Sequence, residues 1–379
     1  MTTVKTASLA LMLALAALMP PVAGTVQAQN ADPVAEAASE VSLPLHIGGR
    51  TVRSSTDPTR DYLHQWPGVY FESRFKGPSV TVRLKDDANK LDIYIDGTLI
   101  DTETKPGIGD INFGPLADSE HTIRLEIRTE SQDHAALFSG FFVPDASNVL
   151  PAPDVAREIE FIGDSYTVGY GNTSTKRECS QDEIWATTDT QLAFGPLTAK
   201  HFAADYRINA VSGRGMVRNY NGGLPDETLR TYYPYGMTLH GISAPAAPQD
   251  WQPQIIVIGL GTNDFSTPLN PGEKWPTRDA LHADYESSYV AFVKSLRASN
   301  PKAFFILMAT DQADGEIQAE VRKVIAAVKA GGDDRIDFVP MNGLSFGGCD
   351  WHPTTADDQA VAKTLTAFID AHPELWQGN

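Results

Sequence analysis

Through the first third of the chain, apolar and polar positions alternate with a period of two. Val80, Val82 and Leu84 are separated by Thr81 and Arg83. Leu91, Ile93 and Ile95 are separated by Asp92 and Tyr94, and Ile123, Leu125 and Ile127 repeat the pattern. Such alternation predicts strands with one buried face. Asp96-Gly97 follows the second run and predicts a tight hairpin turn. No long helical pattern interrupts these runs, so residues 43–148 are read as an all-β domain, a β-sandwich of the jelly-roll type. The aromatic cluster from Trp66 to Phe71 is assigned to its core.

The pattern changes after Val149–Val155, a segment with Pro151 and Pro153 that reads as a linker. Beyond it come largely apolar runs at 159–162, 206–211, 255–260, 304–308 and 336–339. Runs of this kind suit strands buried on both faces. Helical stretches are expected between and after them, near 191–204, 279–298, 315–330 and 355–371. In the second, Leu281, Tyr285, Tyr289, Phe292 and Leu296 recur on one face. Thr355 and Asp358, just after Pro353, have the spacing of a capping box. Strand and helix in alternation predict a doubly wound parallel sheet over 155–376. Such sheets bind ligands beyond the carboxyl ends of their strands.

Composition narrows the function. The chain has 379 residues, 42% hydrophobic and 21% charged, enough for two ordinary domains. A net charge of -18 argues against nucleic acid and against an anionic membrane surface as partners. Residues 1–28 read as an export signal, with Lys5, an apolar run from Leu9 to Met19, and Val26-Gln27-Ala28 as the cleavage site. Residues 29–42 read as a tether. The expected location is periplasmic or secreted. In such an oxidising compartment the two cysteines, Cys179 and Cys349, are expected to form a disulfide.

The candidate chemistry begins at Glu158–Asn172, EIEFIGDSYTVGYGN. An apolar strand that ends in Gly-Asp-Ser presents Ser165 at the edge of a sheet, as a nucleophile that needs a base and oxyanion donors. His352, in CDWHP between the last strand and the last helix, is the expected base. Asn263 is an expected oxyanion donor through its amide. Gly213, in Ser212-Gly213-Arg214-Gly215, is another through its main-chain N–H, with Gly215 the alternative. The N–H of Ser165 is the third. Trp351, beside the histidine, is read as a substrate-binding wall of the cleft. Tyr166, Tyr170, Arg214, Arg218 and Asn219 are further candidates to line the cleft. The histidines show no paired metal-ligand spacing, and Gly259-Leu260-Gly261 lacks the third glycine of a dinucleotide fingerprint. No metal or other cofactor is therefore expected.

Ser165, Gly213, Asn263 and His352, in that order, resemble the four blocks of the SGNH (GDSL) hydrolase superfamily. GDSYTVGYGN, SGRGMVRNYNGG and CDWHP, behind a domain carrying PGVYFESRFKG, are most similar to carbohydrate esterase family 2. The resemblance implies a jelly-roll domain joined to an SGNH domain. It implies a serine esterase that removes acetyl groups from plant polysaccharides such as xylan or glucomannan. An esterase acting on other acyl chains and a non-catalytic carbohydrate-binding protein are the alternatives. One departure stands out. The superfamily's aspartate, three residues before the histidine, is replaced by Cys349. Asp350 is then the expected orienting carboxylate, and a Ser–His dyad held by main-chain carbonyls is the alternative.

Overall fold

The computed structural model describes residues 40–237 and 251–377. The expected export signal and most of the 29–42 tether lie outside the described residues. No helix among the described residues is long and apolar enough to cross a membrane.

Residues 41–143 form two antiparallel sheets. One orders its strands as Thr51–Arg53, Tyr62–His64, Ala136–Val143, Val80–Asp86 and Gly107–Phe113, with Val41–Ser42 also paired to Ala136–Val143. The other runs His46–Gly48, Tyr70–Lys76, Glu120–Ile127, Lys90–Ile95 and Thr98–Thr104. The inward positions of the alternating runs meet between the sheets. Val82, Ile93, Ile123 and Phe141 are fully buried, and Phe71 stacks on Phe138 at 4.0 Å between ring centroids. Trp66, Val69 and Phe71 belong to this core, as the aromatic cluster predicts. The hairpin at Asp96-Gly97 has both residues in the left-handed region that a two-residue turn requires.

The second half is a five-stranded parallel sheet in the order Asp205–Ala210, Glu158–Gly163, Ile255–Gly259, Phe304–Thr310, Ile336–Met341. This is the doubly wound 2-1-3-4-5 order, whose switch point lies beside the first strand. The register matters for the site. Gly163 pairs with Ala210 on one side and with Gly259 on the other. The loops that carry Ser165, Gly213 and Asn263 therefore leave the sheet from one row. The long helices run Phe194–His201, Arg278–Ser299, Glu316–Ala330 and Thr355–Asp370.

Two local expectations shift. The first long helix is preceded by a separate 3-10 turn, Thr190–Leu192, so it is shorter than the 191–204 stretch. The capping box lies one residue earlier than its predicted place. Thr354 is the extended cap and Asp357 its partner, with reciprocal bonds of 3.2 and 2.8 Å. Asp358 turns inward instead and accepts from the Phe194 N–H and the Asn172 amide.

The sandwich and the parallel sheet share a continuous apolar cluster and a polar seam. Arg50 reaches Glu160 at 3.2 Å, Arg128 pairs with Asp189 at 2.8 Å, and Gln191 donates to the Ile127 carbonyl at 3.1 Å. Apolar burial joined to ion pairs and hydrogen bonds makes this more than a loose inter-domain contact.

Candidate active site

Ser165 opens a one-turn helix, Ser165–Val168, directly after the strand Glu158–Gly163. Glycine at 163 is required by close approach, since a Cβ there would lie 1.9 Å from the Thr167 hydroxyl. Asp164 caps the turn by accepting the Tyr166 N–H at 3.1 Å. Ser165 is 5% exposed, with its hydroxyl on a cleft of about 390 Å³.

His352 Nε2 lies 2.8 Å from Ser165 Oγ. Its Nδ1 faces the carbonyl oxygens of Cys349 at 2.9 Å and Asp350 at 3.1 Å. A carbonyl oxygen only accepts, so Nδ1 carries the proton and Nε2 presents a lone pair to the serine hydroxyl. The tautomer that a general base needs is thus set by main-chain atoms. Burial pushes the imidazole below the usual histidine range, against the opposing pull of those two carbonyls and of the Asp350 charge. The ring lies against Tyr170 at 4.4 Å and meets the Tyr166 ring edge-on at 5.3 Å.

The Asp350 carboxylate does not take the place predicted for it. It accepts from the Tyr170 hydroxyl at 3.2 Å, while the residue's carbonyl faces the imidazole. The backbone explains this. Asp350 and Trp351 both adopt left-handed φ, 49° and 56°, which turns the carbonyls inward and the side chains outward. The turn is held at several points. Cys349 is bonded to Cys179, the Cys349 N–H donates to Gly171, and the Asp350 N–H donates to the Arg177 carbonyl at 2.6 Å.

Asn263 sits in the one-turn helix Thr262–Phe265 after the third strand. Its amide donates to Asp164 at 3.2 Å and to the Arg214 carbonyl at 3.1 Å, which fixes its plane beside Ser165. Of the two glycines in Ser212–Gly215, the structure separates the roles. The Gly215 N–H donates to the Asn219 side chain, and a Cβ there would lie 2.1 Å from the Arg218 carbonyl. Gly215 is therefore a packing glycine. Gly213, at φ 80°, has open space where a Cβ would stand, and its N–H donates to no group among the described residues.

Two buried acids that the sequence reading did not single out hold this loop and the serine turn. Asp264 accepts the N–H groups of Met216, Val217 and Arg218 at 2.8 to 2.9 Å. Burial, then the nearby Asp264 charge, push Asp164 up to about 7. The available signal was their position: each is an acid directly next to a proposed site residue, just after an apolar strand. Arg218 and Arg214 brace rather than line the cleft, paired with Glu273 at 2.6 Å and with Glu227 at 3.3 Å. Gln312 and Tyr220, also unpredicted, do line it. Gln312 accepts from the Tyr166 hydroxyl at 2.9 Å. Tyr220 and Trp351 are 60% and 53% exposed.

The model for the carbohydrate esterase 2 N-terminal domain matches residues 47–153. That for the GDSL-like lipase/acylhydrolase family matches residues 161–374. An acetylxylan esterase / glucomannan deacetylase of Cellvibrio japonicus is 49% identical over 335 residues, covering 88% of this chain and 92% of that protein. The chain belongs to carbohydrate esterase family 2. Solved family 2 esterases share its architecture. A carbohydrate esterase whose active site is described as having divergent catalytic and non-catalytic binding functions aligns with a TM-score of 0.84 and 47% identity. The match covers 89% of this chain and 100% of that one. A family two esterase from Clostridium thermocellum in complex with cellohexaose aligns at 0.75 with 27% identity, covering 87% and 99%. In this family 2 esterase, the Ser165 turn, an imidazole and a glycine loop meet at one sheet edge, an arrangement suited to ester hydrolysis.

Proposed function

We propose that this esterase removes O-acetyl groups from plant polysaccharides such as acetylated xylan or glucomannan, in the periplasm or outside the cell. The observation that carries the reading is the 2.8 Å contact between Ser165 Oγ and His352 Nε2, the nitrogen left as acceptor when Nδ1 donates to the Cys349 and Asp350 carbonyls. Ser165 Oγ attacks the acetyl carbonyl carbon while its proton passes to His352 Nε2. Negative charge develops on the carbonyl oxygen, facing the N–H groups of Ser165 and Gly213. The Asn263 amide joins them by sharing a hydrogen now held by Arg214 or Asp164. The intermediate collapses, and His352 returns the proton to the departing sugar oxygen, leaving acetyl-Ser165. Water then gives its proton to His352, attacks the acetyl carbon and releases acetate, and Ser165 recovers its proton.

Trp351 and Tyr220 stand exposed at the rim, and flat aromatic faces there suit sugar rings. The relatives support this substrate class: one is named an acetylxylan esterase / glucomannan deacetylase, and another was solved with cellohexaose. The test is acetate release from acetylated xylan, acetylated glucomannan and simple ester panels of increasing acyl length. The reading expects release from the polysaccharides and a preference for acetyl. A clear preference for long acyl chains would favour a lipase-like or thioesterase-like enzyme instead. Polysaccharide binding without turnover would favour a non-catalytic binder.

A further inference from the structure

We propose that Glu130 and Gln132, on the β-sandwich, are positioning residues of the esterase reaction that aim the Gly213 N–H at the oxyanion. The inference rests on the reading of Gly213 as an oxyanion donor. Both residues lie between the strands Glu120–Ile127 and Ala136–Val143. Glu130 Oε1 accepts the Ser212 N–H at 2.8 Å. Gln132 Nε2 donates to Glu130 Oε1 at 3.2 Å and to the Ser212 carbonyl at 3.2 Å. The Gln132 carbonyl is itself held by the Gln65 amide at 2.8 Å.

The geometry of the peptide unit gives these bonds their meaning. The Ser212 carbonyl and the Gly213 N–H belong to one planar trans peptide, in which C=O and N–H point in opposite directions. Holding that carbonyl on the sandwich side therefore aims the Gly213 N–H away from the sandwich. Glycine is the residue least able to hold such an orientation alone, because its φ and ψ are the least restricted. The parallel-sheet domain restrains the neighbouring peptide units: the Gly213 carbonyl accepts from the Tyr220 N–H at 3.0 Å, and the Arg214 N–H donates to Val211 at 3.2 Å. Among the described residues, the hydrogen bond to the Ser212–Gly213 peptide comes from the sandwich. The first domain is on this account part of the catalytic apparatus, through a donor that belongs to the second.

The experiment compares Gln132→Ala, Glu130→Ala and Glu130→Gln with the parent full chain on a small acetyl ester, with rates normalised by active-site titration. Removing an oxyanion donor costs roughly a hundredfold or more in kcat, so loosening one is expected to cost about tenfold. Gln132→Ala and Glu130→Ala should each lose that much in kcat, with KM changed less than about twofold because ground-state binding is untouched. Glu130→Gln, which keeps an acceptor oxygen for the Ser212 N–H, should recover most of the loss. Gln132 is exposed, so its alanine variant reports even where Glu130→Ala fails to fold. Parental kcat in Gln132→Ala, or equal losses in Glu130→Gln and Glu130→Ala, overturns the inference. Two controls keep the underlying reading separate. Gly213→Pro removes the main-chain N–H itself, at a position where added side-chain atoms start from open space. If it leaves kcat unchanged, Gly213 is not a donor. If Ser165→Ala retains turnover, the nucleophile itself is misassigned.

Discussion

His352 turns its Nδ1 onto the carbonyl oxygen of Cys349 at 2.9 Å, and Cys349 is the residue joined through sulfur to Cys179. The imidazole is thus oriented by a piece of backbone anchored covalently to the loop that follows Ser165. A carboxylate at this position would both orient the ring and stabilise its protonated form. A carbonyl does the first and contributes only its dipole to the second.

The first prediction concerns Asp350. Replacing the orienting carboxylate of a Ser-His-Asp triad lowers kcat by about ten-thousandfold. Here the Asp350 side chain bonds to Tyr170 instead, so Asp350→Asn should cost less than about tenfold in kcat. Asparagine also tolerates the left-handed φ of 49° at that position. Steady-state kinetics on an acetyl ester check this. A loss of several thousandfold would restore the carboxylate to the triad.

The disulfide should couple stability to turnover. Cys179 and Cys349 are 170 residues apart, and bridges of this kind contribute about 2 to 5 kcal/mol. The double serine variant should melt at lower temperature. It should also lose kcat while still folded, because the Cys349 carbonyl is freed to move. Thermal melts and kinetics below the new transition separate the two effects. A variant that melts lower with unchanged kcat would show that the turn is positioned without the bridge.

The pH dependence follows from the base. Burial favours neutral imidazole, so the His352 pKa lies below the ordinary value of about 6.5. Nε2 accepts a proton only when neutral. kcat/KM should therefore be lost as pH falls through that depressed pKa and be flat up to neutrality. An acid limb with an apparent pKa above 6.5 would show that the carbonyls and the Asp350 charge outweigh burial.

The exposed indole of Trp351 should matter for polymers and not for small esters. Trp351→Ala is expected to raise KM on acetylated polysaccharide about tenfold, the loss of one aromatic contact, with little change in kcat on a small acetyl ester. Equal effects on both substrates would place Trp351 in the structure of the turn rather than at the sugar.

The architecture was legible where one periodicity dominates. The period-two runs at Val80–Leu84 and Ile123–Ile127 and the continuous run at Ile255–Leu260 each correspond to an observed strand. That Ser165 and His352 come together, at 2.8 Å, was legible because strand ends and short motifs mark them. The details lost to sequence are those set by backbone direction. Nothing in CDWHP announces that residues 350 and 351 both turn left-handed, which decides that a carbonyl rather than the Asp350 carboxylate faces the imidazole. Likewise, Ser212-Gly213-Arg214-Gly215 offers two glycines, and only the packing of Asp264 and Arg218 around Gly215 separates them. Glu130 was invisible for a third reason: its partner Ser212 is 82 residues away, across a domain boundary.

The acyl-enzyme is the centre of this account, and rapid-quench mass spectrometry of the enzyme with an acetyl ester tests it most directly. The account predicts a transient adduct of one acetyl group on the peptide that contains Ser165, absent from Ser165→Ala, and accumulating when His352 is replaced after a slow first step. An adduct on another residue, or acetate released at the parental rate by Ser165→Ala, would contradict it.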